Sequence, residues 1–150
     1  MEYRKDKRTK NLTLRDIHVG DWVQVWSEQT ERYSPPLKIT QICDDGTVYL
    51  IIDEENRLDP WEENIKDIDA LPIDVDLLRG FGFELREYEY DSADYVCMRD
   101  GDNMPSFLLI KLRNEYVIAT HDAYYYYFHQ FQEYIPNIKL EWKGVNKYNS

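Results

Sequence analysis

Cysteine is almost missing from this chain. Cys43 and Cys97 are its two thiols. They lack CxxC spacing and ligand-type neighbours, which argues against a disulfide framework or a zinc knuckle. Both fall in strand-like runs, so each is expected to be a buried, reduced thiol. Histidine is nearly as scarce, with only His18, His121 and His129. On one helix, His121 and His129 would stand two turns and ~80° apart, a poor metal geometry. Neither a metal nor a cofactor is expected. No apolar run approaches the ~20 residues that span a bilayer. The N-terminus lacks the apolar segment of a signal peptide. A cytoplasmic protein without membrane contact is therefore expected, and the Asn11-Leu12-Thr13 triplet has no glycosylation meaning.

Catalytic signatures are absent too. The chain has no Gly-Lys-Ser/Thr phosphate loop, no Gly-x-Ser-x-Gly elbow and no Gly-x-Gly-x-x-Gly fingerprint. Asp100-Gly101-Asp102-Asn103 lacks the remaining ligands of a calcium loop and reads as a turn. The adjacent carboxylates Glu54-Glu55 and Glu62-Glu63 sit in loop-like sequence, where solvation is expected instead of acid–base work. No catalytic residue is expected.

What is abundant is aromatic and acidic. The 150 residues include thirteen Tyr, five Phe and four Trp, and 43% are hydrophobic. That length suffices for one domain or two very small ones, with about two-thirds of the unfolded surface buried. Net charge is -11. Residues 1–10 carry +3, leaving -14 for the remainder. Residues 41–76 hold twelve Asp or Glu against Arg57 and Lys66. Such a surface repels phosphate, so direct nucleic-acid binding is not expected.

The pattern predicts an α+β chain of mostly antiparallel strands. Residues 1–11 are charged and aperiodic, and read as a flexible basic tail. Residues 12–71 read as a small SH3-like barrel or meander. Its strands are expected at Trp22–Trp26, Leu37–Cys43, Thr47–Ile52 and Ile65–Leu71. Asp44-Asp45-Gly46 is a hairpin turn, and 53–63 an acidic loop. Residues 72–143 read as an α+β half, and 144–150 as a tail. Asp74 caps a short helix that Gly80 and Gly82 end. Strands follow over 83–90, 95–98, 107–112 and 116–120, and Ile138–Trp142 is a further edge strand.

Tyr124-Tyr125-Tyr126-Tyr127-Phe128-His129 sets six rings in succession. A C-terminal aromatic helix over 122–134 would turn Tyr124, Phe128 and Phe131 inward and Tyr125 and Tyr126 outward. The alternative is a strand-to-helix junction with all rings packed inside. His129 would sit near the helix C-terminus. Exposed tyrosines are enriched at contact surfaces. Tyr125, Tyr126 and His129, with Glu54, Glu55, Glu62 and Glu63, are therefore the candidate partner-binding residues.

Four stretches occur in a specific order: Leu14-Arg15 with Gly20-Asp21-Trp22-Val23; Lys38-Ile39 with Ile42 and Asp45-Gly46; Pro72-Ile73 with Leu77-Leu78 and Gly82-Phe83-Glu84; and His129-Gln130-Phe131-Gln132. Together they resemble a family of small uncharacterised bacterial and prophage proteins of gut anaerobes. The resemblance spans residues 14–134 and departs after Gln132, where Glu133-Tyr134-Ile135-Pro136 replaces a longer helix. It implies a mobile-element setting and an accessory, non-enzymatic role. The expected function is a non-catalytic protein-interaction module with a protein partner. The alternatives are an acidic nucleic-acid mimic that blocks a DNA-binding defence enzyme, and a small enzyme or ligand binder.

Overall fold

A computed structural model describes residues 9–87, 94–98, 106–121, 123–136 and 138–144. The chain is mostly antiparallel β with two sheets. It divides into two compact units, one running to Leu71 and the other starting at Pro72.

The first unit holds β1 (Trp22–Ser27), β2 (Arg32–Tyr33), β3 (Leu37–Ile42), β4 (Thr47–Ile51), β5 (Trp61–Asn64) and β6 (Ile68–Asp69). Gly20 at φ +99° opens β1, and Gly46 at φ +97° turns β3 into β4. An L-residue with a Cβ is sterically disfavoured in that conformation. The Asp45 carboxylate accepts from Thr47 N–H at 2.9 Å, which fixes the turn. β1 pairs with β3 at Trp22↔Lys38 and with β2 at Trp26↔Tyr33. β6 also pairs with β1, at Gln24↔Asp69 and Val25↔Ile68. The order β2-β1-β3-β4-β5, with β6 returning to β1, curls the sheet into a half-barrel. Val23, Leu37, Ile39, Val48, Leu50 and Ile68 are fully buried inside it. Each such side chain contributes roughly 1.5–3 kcal/mol of transfer free energy.

Several expectations are corrected here. The tail ends earlier than Leu12: Thr9 Oγ1 donates to the Ala70 carbonyl at 2.7 Å, and Ala70 N–H donates to Lys10 O at 2.8 Å. Arg32–Tyr33 pairs as a strand where polar loop was expected, because the chain doubles back antiparallel on β1. Trp61–Asn64 is a strand too, since Glu62 and Glu63 register against Tyr49 and Val48 of β4. The closing strand shrinks to Ile68–Asp69, as Ile65–Asp67 winds into a 3-10 turn capped by the Asn64 side chain. β1, the expected strand, is buried on both faces from Trp22 to Trp26. Cys43 is only half-buried, because it closes the β3–β4 turn instead of continuing β3; Cys97 is buried.

The second unit begins with α1 (Val75–Gly80), then β7 (Glu84–Glu87), β8 (Tyr95–Met98), β9 (Phe107–Leu112), β10 (Glu115–Ala119), β11 (Tyr124–Tyr125) and α2 (Phe128–Gln132). Asp74 Oδ1 accepts from Leu77 N–H at 2.7 Å, the expected N-cap. Gly82 at φ +93° ends the helical turn and donates to Arg79 O. The five strands form an antiparallel meander, β11-β10-β9-β8-β7. The expected strand end at residue 90 and the expected turn at 99–103 lie outside the described residues.

The long aromatic helix is not formed. Tyr124 and Tyr125 pair with Ala119 and Ile118 as a strand. Aromatic side chains favour the pleated surface, and this pairing outcompetes helix extension toward the N-terminus. Tyr127 is held extended by its bridge to Pro72, so α2 starts only at Phe128. Residues 138–142 form no strand. Instead the Trp142 ring lies over Gly80 and meets Phe81 edge-on at 5.1 Å. Phe81 stacks on Phe128 at 4.5 Å, and Phe107 packs on Phe131 at 4.8 Å.

A Cβ added at Gly80 would fall inside the Trp142 ring. Gly80→Ala should therefore destabilise the chain by about 1–3 kcal/mol, although alanine is the better helix former. The urea midpoint measures the loss. In a chain that already carries Trp142→Ala, adding Gly80→Ala should cost little or nothing, because the ring it would strike is gone.

Candidate partner-binding cleft

The half-barrel carries an open cleft of about 750 Å³. One wall comes from the end of β1, the loop after it and β2. The other comes from β5 and the 3-10 turn that follows. The two ends of the strand order, β2 and β5, thus both border it. Three rings line it: Trp26, Tyr33 and Trp61. Trp26 is buried and packs edge-on against Tyr33 at 4.9 Å. Trp61 is 38% exposed, so part of its ring meets solvent.

Tyr33 is fixed from behind. Its hydroxyl donates to Asp69 Oδ2 at 2.6 Å and accepts from Thr9 N–H at 2.6 Å. Asp69 is fully buried, and its other oxygen accepts from Asn11 Nδ2 at 3.1 Å. Gln24 Nε2 donates to Thr9 Oγ1 and to the Ala70 carbonyl. Burial, then the bond to Asp69, pushes the Tyr33 phenol up to about 12. Tyr33 thus acts as a neutral, oriented ring.

The acidic wall is Glu63 on β5 and Asp67 on the 3-10 turn. Glu63 is half-buried. Desolvation, then the Asp67 charge, raises its carboxyl above the ordinary value. No cation lies within ion-pair distance of either group among the described residues. Glu28, Arg32 and Lys66 also border the cleft, and each makes contacts of its own.

The seven residues singled out from the sequence divide between the two units. Glu63 lines the cleft. Glu54 is engaged by Lys38 at 3.2 Å and by Arg57 at 2.6 Å, which lowers its carboxyl. Glu55 is exposed on a 3-10 turn, and Glu62 is exposed on β5 beside Tyr49. The Glu62 charge is the leading cause of the raised Tyr49 phenol. Tyr125, Tyr126 and His129 belong to the second unit. Tyr125 does not face outward: it is half-buried, 5.9 Å from Phe131 and 6.0 Å from Tyr134. Tyr126 is exposed, as is Tyr124, which the helical stripe would have buried. His129 is buried in the first turn of the five-residue α2, packed near Tyr127 at 6.3 Å, and not at an exposed helix end. The cleft residues missed from the sequence are Trp26, Tyr33, Trp61 and Asp67. A tryptophan inside an acidic stretch was the available signal for Trp61.

His18 sits on the turn before β1, with its ring 3.7 Å from Asp21. Burial pushes the Cys97 thiol up to about 12. Among the described residues, no three His, Cys, Asp or Glu side chains gather at metal-binding separation, and no helix is long and apolar enough to cross a membrane. Set against protein families, curated proteins and solved structures, the chain matches none.

Two outcomes follow from these shifts. Folded Tyr33 keeps its proton to about 12, against 10.0 for a free phenol. Its stabilisation is complete below the unfolded value and is lost as pH rises through the folded one. Tyr33→Phe should thus flatten the fall in urea midpoint between pH 10 and about 12. Ellman's reagent at neutral pH should titrate Cys43 promptly and Cys97 only after denaturant is added.

Proposed function

We propose that this chain is a non-catalytic protein-interaction module of bacterial or prophage origin, working in the cytoplasm. The observation that carries the reading is the cleft of the first unit. It combines an exposed tryptophan, an anchored tyrosine and two carboxylates with no cation at ion-pair distance among the described residues. Aromatic anchors beside polar groups are what protein contact surfaces use. The burial of His129 and of the Cys97 thiol favours binding over covalent or acid–base chemistry. The strand succession β1-β3-β4-β5, then a 3-10 turn, then β6 back on β1, supports describing the first unit as an SH3-like barrel.

Nucleic-acid mimicry is less well supported. Glu54 is already neutralised by two cations, and Glu62 and Glu63 alternate across β5.

The test is affinity capture from a bacterial host lysate with the whole tagged chain and its Trp61→Ala variant in parallel. A stoichiometric partner held by the native chain should fall about tenfold or more with Trp61→Ala at unchanged fold. Equal recovery by both chains, or no partner with either, would count against the reading.

A further inference from the structure

We propose that the first-unit cleft receives a lysine or arginine side chain from an extended segment of the protein partner, with Glu63 and Asp67 as its counter-charge and Trp61 as its aromatic wall. This deepens the protein-binding reading and rests on it.

Trp61 and Glu63 are two residues apart on β5, so they share one face, and both line the cleft. Asp67 joins them from the turn that follows. Two carboxylates without a cation partner among the described residues thus stand beside an exposed indole. Glu28, Glu63 and Asp67 outnumber Arg32 and Lys66 around the cleft, so an anion there would meet net negative charge. A neutral apolar group would desolvate Glu63 further without compensation. A guanidinium or ammonium satisfies both demands: it neutralises the carboxylates and is attracted to the ring face.

The same site argues for a chain segment over a small free cation. The cleft is open and not enclosed, and it is bordered by β2 and β5, the two ends of the strand order. Edge strands present backbone donors and acceptors to an extended peptide. The net charge of -11 adds long-range attraction for a basic partner.

Glu63 and Asp67 repel each other in the free protein, and burial raises the Glu63 carboxyl. An acid raised on folding opposes folding when ionised, so Glu63→Gln should hold or increase stability at neutral pH. The same substitution should weaken peptide binding. A purely structural role predicts no such opposition.

The experiment uses the whole 15N-labelled chain and degenerate peptide pools with a fixed central arginine, glutamine or glutamate. The arginine pool should shift the Trp61 indole and the amides of β2 and β5. Its apparent affinity should exceed that of the glutamine pool by about tenfold at low salt and fall as salt rises. Glu63→Gln with Asp67→Asn should abolish that preference without lowering the urea midpoint. Equal binding of the glutamine pool would overturn the cationic inference and leave the module reading standing. Spermidine competing as tightly as the arginine pool would overturn the peptide commitment. Shifts confined to the second unit, or none with any pool, would remove the cleft as the site and leave the module reading to the capture experiment.

Discussion

Asp69 is a carboxylate with no exposed surface, placed where the first sheet returns to its own first strand. Taking such a charge out of water costs several kcal/mol unless its oxygens are satisfied. Tyr33 and Asn11 supply donors to both oxygens. Those two residues come from β2 and from the entering N-terminal segment, while Asp69 itself lies on β6. One buried group therefore ties three segments, distant in sequence, that the curl of the sheet brings together. Removing the carboxylate would take away the 2.6 Å acceptor of the Tyr33 hydroxyl, while the Asn11 amide would keep the Ile68 and Lys66 carbonyls. Removing either donor would take one hydrogen bond from a carboxylate with no exposed surface. The cleft inherits this constraint, because Tyr33 is both a ligand of Asp69 and a wall of the cavity.

The second unit is held differently. Its interior is built from rings: Phe81 stacks on Phe128, Phe107 meets both Phe83 and Phe131, and Phe131 reaches Tyr125 and Tyr134. Offset and edge-on ring pairs each add about 0.5–1.5 kcal/mol beyond area burial. Such a cluster needs small residues where backbone and ring approach closely, and Gly80 under Trp142 meets that need. Sequence position does not predict which rings turn inside. Tyr125 and Phe128 are inward while Tyr124 and Tyr126 face solvent, which follows from a strand that pairs with β10 and then breaks into α2.

The mostly antiparallel architecture was legible in the sequence wherever glycine turns and apolar alternation coincided, as at Asp44-Asp45-Gly46 between β3 and β4. Asp74 and Gly82 bracketed α1 for equally local reasons. Illegible were the elements fixed by pairing at a distance. Arg32–Tyr33 and Trp61–Asn64 look like polar loop, and only β1 and β4 make them strands. The tyrosine run carries a helical stripe, yet edge pairing with β10 overrides it for Tyr124 and Tyr125. The acidic candidates were chosen by local charge density, which says nothing about compensation: among the described residues Glu54 has two cations and Glu63 none.

That contrast between Glu54 and Glu63 is where fold and chemistry meet. Both are glutamates in the same acidic stretch, each next to another acid in sequence. Glu54 sits exposed, with Lys38 and Arg57 at hand, so its charge is satisfied locally and screened by solvent. Glu63 is drawn into the cleft wall by its register opposite Val48, loses part of its hydration, and faces Asp67. A strand register thus turns one of several ordinary surface carboxylates into a group with unmet electrostatic demand. The packed half of β4 dictates that register, since shifting it by one residue would bury Glu62 and expose Glu63. The acidity of the cleft is therefore a consequence of how the hydrophobic core of the half-barrel aligns β5, and it would persist only as long as that core does.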